Sequence, residues 1–215
     1  MKLALIGASG FVGTQLLTEA LQRGHEVTTI VRNPEKVKIQ NSLLNLQKAD
    51  VTNTDALAEI LRGHDIVLNA YNAGWSNPNI YDDFLKGSNS ILEASKRAKV
   101  KRLLVVGGAG SLFIAPNVQL VDTPEFASSP YRPGALAARD FLNVLKKEEA
   151  ISWTFLSPAI NLFPGERTGQ FRLGNDEPVM NSEGKSEISV QDLAVALLDE
   201  VEKGQFINKR FTVGY

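Results

Sequence analysis

The 215-residue sequence contains no cysteine and only two histidines, His25 and His64. Without cysteine there are no disulfides, no thiolate nucleophile and no cysteine-bound metal. Neither histidine belongs to a ligand-spaced cluster, so no metal site and no serine-histidine relay is expected. No apolar run approaches the ~18 residues of a membrane span, and "MKLALIGASG" meets glycine before any signal-peptide core can form. The expected location is the cytoplasm, with no membrane partner. A formal net charge of -1 supplies no basic field for a phosphate backbone, which removes nucleic acid as a partner. There is no internal repeat or low-complexity tract.

What is present is an alternation of short apolar runs and helical patterns. Strands are expected at Lys2 to Ile6, Glu26 to Val31, Leu44 to Lys48, Asp65 to Ala70, Arg102 to Gly107, Ser152 to Ser157 and Arg210 to Val213. Helices are expected near Phe11 to Arg23, Thr54 to Leu61, Tyr81 to Ala98, Pro133 to Lys147 and Val190 to Glu202. Apolar residues at steps of three and four make the last helix the clearest, and Ser189 followed by Asp192 marks its start. Strands alternating with helices predict an α/β fold, a doubly wound parallel sheet covered on both faces. One domain over residues 1–215 is expected, with residues 158–186 as an irregular, polar, glycine-rich insertion on the substrate side and a short hairpin around Phe171 to Leu173.

Chemistry enters with "LALIGASGFVGTQLL", where Gly7, Gly10 and Gly13 link the first strand to the first helix. Gly7 turns the chain off the strand, Gly10 lets backbone approach a pyrophosphate, and Gly13 lets helix and strand pack closely. Amides at the helix start and the positive end of its dipole favour phosphate charge. Ser9 either adds a hydroxyl donor or closes a local turn. The second strand ends in Arg32, where NAD-preferring proteins usually carry an acid. An arginine there suits a 2′-phosphate, so NADP(H) is favoured over NAD(H); a solvated surface arginine is the plainer alternative. Asp50 and Val51 after the third strand either flank an adenine or form a capped turn. Asn69, Ala70 and Tyr71 end the fourth strand at the rim of the expected groove, where Tyr71 could equally serve packing.

The ordered motifs "IGASGFVG", "VRNPEK", "LLVVGGAGSL", "WTFLSPA", "PGERTG" and "RFTVGY" span the chain. Together they resemble the NAD(P)H-flavin reductase group of atypical short-chain dehydrogenases. The resemblance extends more loosely to biliverdin-IXβ reductase and the NmrA-like NADP-binding proteins. It implies a Rossmann-like fold, a bound nicotinamide dinucleotide and hydride transfer to a small flat acceptor, with flavin as a candidate substrate. Carried over position by position, it implies dinucleotide contacts at Gly7, Ser9, Gly10, Phe11 and Val12, Arg32 at the 2′-phosphate, and Asp50 with Val51 at adenine. Ala70 and Tyr71 would line the ribose side, Pro158 and Ala159 the nicotinamide side. Ser111 matches the region that supplies an active-site serine, although a loop serine bonded to backbone is as plain a reading. Trp75 and Phe163 could wall an acceptor or simply pack. A monomer or homodimer is expected.

The sequence departs from most short-chain dehydrogenases at their proton relay. None of its four tyrosines, Tyr71, Tyr81, Tyr131 and Tyr215, has lysine four residues later, and Ala135 stands in that position after Tyr131. Alcohol oxidation and sugar-nucleotide epimerisation depend on such a relay. Reduction of an already conjugated acceptor depends on it less, because water can supply the proton. The alternative is a non-catalytic NADP(H)-binding redox sensor of the NmrA-like type.

Overall fold

The computed structural model describes residues 1–215. Its main sheet follows the apolar runs: β1 (Lys2–Ile6), β2 (Glu26–Val31), β3 (Leu44–Lys48), β4 (Ile66–Asn69), β5 (Arg102–Val106), β8 (Ser152–Ser157) and β12 (Lys209–Gly214). Between β5 and β8 lies a small hairpin, β6 (Phe113–Ala115) with β7 (Val118–Gln119). Three short strands, β9 (Asn161–Phe163), β10 (Arg172–Gly174) and β11 (Glu187–Ser189), lie between β8 and β12. The helices are α1 (Phe11–Gln22), α2 (Thr54–Leu61), α3 (Ile80–Arg97), α4 (Pro124–Ala127), α5 (Arg132–Leu145) and α6 (Val190–Lys203).

The eight-stranded sheet runs β10-β12-β8-β5-β4-β1-β2-β3. Every neighbouring pair is parallel except β10 with β12, an antiparallel edge added to a Rossmann-like doubly wound sheet. From β1 the chain moves outward to β2 and β3, then returns to the other side of β1 as β4. That reversal opens a crevice between the carboxyl ends of β1 and β4, the place where such sheets receive ligands.

Alternate side chains of the central strands point to opposite faces, and each face carries its own core of 23 buried residues. Leu3 and Leu5 meet Leu16, Leu193 and Leu197 on one face. Ala4 and Ile6 meet Leu57, Ile91 and Phe141 on the other. Burying such a leucine contributes about 1.5–3 kcal/mol, so the two cores hold the crevice between rigid layers. Ser189 caps α6 by accepting from the Asp192 amide at 3.0 Å, and Gly204 ends it at φ 63°.

Residues 158–186 are more ordered than their composition predicts. β9 pairs in parallel with β11, and β10 pairs with β12 instead of forming a hairpin with its own neighbours. The polar loop between β9 and β10 is bound to α6 through Gln191, which accepts from the Gly165 amide at 3.0 Å, and through a buried carboxylate. Asp192 accepts from the amides of Thr168 and Gly169, both at 2.8 Å, and from the Tyr215 hydroxyl at 2.8 Å. Arg167 then reaches Glu19 on α1 through two bonds of 2.7 and 2.8 Å. The same Glu19 accepts from Arg23, and these bonds hold its carboxyl below the usual range, Arg167 contributing most.

Candidate functional site

The turn after β1 shows why its glycines are glycines. Gly7 sits at φ 84°, and a Cβ there would lie 2.5 Å from the Ala70 carbonyl oxygen across the crevice. A Cβ at Gly13 would overlap the carbonyl of Gly7, so α1 can lie against the turn only without a side chain. Gly10 starts α1 with no side-chain cap, leaving the first amides of the helix without an internal acceptor. An anion carrying closely spaced phosphates fits this cradle of free amides and missing Cβ atoms.

Three adjoining cavities make a trough along the crevice. The first, about 170 Å³, is lined by Gly7, Ser9, Gly10, Arg32, Asn33 and Lys36 among others. The second, about 190 Å³, shares Arg32, Val51 and Tyr71 with it and adds Asp50 and Lys86. Arg32, Asp50 and Val51 are thus brought together, as expected. Both oxygen and nitrogen of Thr52 donate to Asp50 Oδ1 at 2.9 Å, holding that carboxyl below its ordinary range, the backbone bond contributing most. Lys36 and Lys86 were not anticipated; Lys36 follows Arg32 by one short helical turn within the "VRNPEK" motif.

The third cavity, about 360 Å³, begins at Gly10, Phe11 and Val12 and shares Gly10, Ala70, Tyr71 and Asn72 with the first. Sixteen of its 23 lining residues are hydrophobic. Pro158 and Ala159 form part of its wall, as does Trp75 from the loop after β4. Trp75 meets Tyr131 edge to face at 5.2 Å between ring centres and lies over Gly134, where a Cβ would be 2.7 Å from the indole. Tyr71 turns at the rim because its amide donates to Asn69 Oδ1 at 2.9 Å. Its ring occupies the space left by Gly87 on α3, and its hydroxyl donates to the Asp83 carbonyl at 3.1 Å. Burial pushes that hydroxyl's pKa upward.

Two expectations are corrected. Ser111 is 1% exposed and does not line the cavity. Its hydroxyl accepts from Arg210 Nη1 at 3.2 Å and lies 3.4 Å from Ser157 Oγ, so it is enclosed beneath the β5 loop instead of facing an acceptor. Phe163 packs toward Tyr215 at 6.4 Å between ring centres, and its strand neighbour Leu162 lines the cavity in its place. Strand alternation sends adjacent side chains to opposite sides, which turns an error of one residue into an error of face.

With this geometry in place, similarity to known proteins becomes informative. Residues 7–203 match the model of a family described as NAD(P)H-binding. The uncharacterised protein YwnB of Bacillus subtilis is 43% identical over 217 residues, covering 99% of this chain and 98% of that one. A Bacteroides thetaiotaomicron protein provisionally named an epimerase is 49% identical, with a TM-score of 0.92 over 100% of this chain and 96% of that one. A Streptococcus pneumoniae protein provisionally named an NADH-flavin reductase is 36% identical, with a TM-score of 0.88 over 100% and 99% of the two chains. No helix of this structure is long and apolar enough to cross a membrane. The glycine cradle, the trough at the strand reversal and these matches agree, and the chain belongs to the NAD(P)H-binding family.

Proposed function

We propose that this protein is an NADPH-dependent reductase that passes hydride to a flat, conjugated acceptor. The observation that carries the proposal is the junction of a phosphate-suited cavity and an apolar one at Gly10, Ala70, Tyr71 and Asn72. Two ligands can lie end to end there. A bound reduced dinucleotide supplies the hydride. Gly7, Ser9, Gly10, Phe11 and Val12 hold its pyrophosphate, Arg32 and Lys36 its 2′-phosphate, and Asp50 with Val51 its adenine. Ala70 and Tyr71 border the ribose, and Pro158 with Ala159 close the nicotinamide end. Trp75 walls the acceptor, while Phe163 and Ser111 support the wall from behind.

Tyr131 and Ala135 both line the apolar cavity, so the place where a relay tyrosine and lysine would act has no ammonium group. The protein's contribution is therefore orientation of two rings and exclusion of bulk water, with the final proton drawn from solvent at the mouth. NADPH oxidation measured with free flavins and quinones tests this reading. Rates above the uncatalysed background with at least one acceptor are expected, and background rates with all of them would overturn it.

A second reading, an NADP(H)-binding redox sensor, is favoured by the same absence of a lysine beside the tyrosines, since a sensor needs affinity without chemistry. A partner protein recovered with NADP but released by NADPH would support it.

A further inference from the structure

We infer that the apolar cavity selects an uncharged flat ring, a quinone or an unphosphorylated isoalloxazine, and rejects the same ring once it carries phosphate or sulfonate. The inference rests on the reductase reading for its chemistry, and on the cavity alone for its selectivity. No lysine, arginine, histidine, aspartate or glutamate lines that cavity, and its titratable side chains are the phenols of Tyr71 and Tyr131. Four of its lining residues, Phe11, Trp75, Tyr131 and Ile160, are large, apolar and exposed. An anionic tail extending outward would cross these side chains before reaching water.

The charges the crevice does possess lie at the other end. Arg32, Lys36 and Lys86 line the two polar cavities together with Asp50 and Asp83. A dinucleotide held there brings its own phosphates, so a second anion in the apolar cavity would meet like charge without a local counter-ion. Burying an unpaired anion costs far more than burying the ring returns.

The chemistry balances without a further reagent. The acceptor takes up hydride, two electrons and one proton, from the reduced dinucleotide and a second proton from water. A quinone leaves as hydroquinone and the dinucleotide as its oxidised form.

Matched acceptor pairs test the inference: riboflavin against FMN, and 1,4-naphthoquinone against its 2-sulfonate, at saturating NADPH. At least a tenfold higher kcat/KM is expected for the neutral member of each pair. Ile160→Lys, which places a cation on the exposed rim, should narrow both ratios by raising the anionic members. Equal or higher kcat/KM for FMN and the sulfonate would overturn the selectivity while leaving the reductase reading intact. Background rates with all four would overturn the reductase reading. In that case equilibrium dialysis of riboflavin and FMN with the NADP-loaded protein decides the selectivity: tenfold tighter riboflavin sustains it, and equal affinity overturns it.

Discussion

The end of the trough beside Gly7 and the end beyond Gly10 belong to one crevice yet bind by opposite means. Around the first, a hydroxyl, a guanidinium and an ammonium group, Ser9, Arg32 and Lys36, face a small cavity over uncapped helix amides. Around the second, sixteen hydrophobic residues enclose twice that volume and no charged side chain appears. Polar, directional groups make the first end selective for a ligand of known charge distribution. Apolar walls leave the second with shape and lack of charge as its means of recognition.

The largest effect should come from filling the space on which the first end depends. Gly7→Ala meets both a left-handed backbone and the Ala70 carbonyl. Its expected outcome is at least ~100-fold weaker NADPH binding by calorimetry, about 2.7 kcal/mol, with lowered thermal stability. If affinity holds, the cradle is not where phosphate binds.

Next in size is the tie between the ends. Glu19 anchors Arg167, and with it the loop between β9 and β10, to the helix that opens with the glycine turn. Glu19→Ala should cost about 2 kcal/mol in denaturant unfolding, because it removes a largely buried partner of two arginines. The carboxyl's lowered pKa fixes the sign of the pH effect. A group more acidic in the folded chain stabilises above its unfolded pKa and loses that contribution as pH falls. The wild-type advantage over Glu19→Gln should therefore be complete at neutral pH and shrink as pH falls below about 4.3.

Arg32→Ala sharpens the comparison at the polar end alone. NADPH affinity should fall about tenfold, near 1.4 kcal/mol, with NADH within about twofold of its wild-type value. Equal losses for both would show that Arg32 does not distinguish a 2′-phosphate. Lys36→Ala, the smallest effect, should weaken NADPH about threefold in the same titration, more at low salt than at high.

How much of this was legible depended on sequence distance. β1, β2, β3 and β8 matched their expected bounds residue for residue: β1, β2 and β8 are apolar runs, and β3 shows the plain alternation of Leu44 and Leu46 with polar neighbours. The glycine turn was equally plain, since its spacing carries its geometry. The three-residue strands β9, β10 and β11 were not, because each exists only through a partner such as Glu187 for Asn161 or Gly214 for Arg172. Ser111 failed for the same reason: Arg210, ninety-nine positions later, fills the space that would have made its hydroxyl available. "PGERTG" and the final "GY" were recognisable as motifs, yet only the fold shows Asp192 joining them.

A dinucleotide that reaches from the polar cavity to Pro158 and Ala159 must share the apolar cavity with the acceptor before hydride can move. Initial rates measured over a grid of NADPH and naphthoquinone concentrations test it directly. Intersecting double-reciprocal lines are expected, the signature of both ligands bound before hydride moves. Parallel lines, which require the oxidised dinucleotide to leave before the acceptor binds, would contradict it.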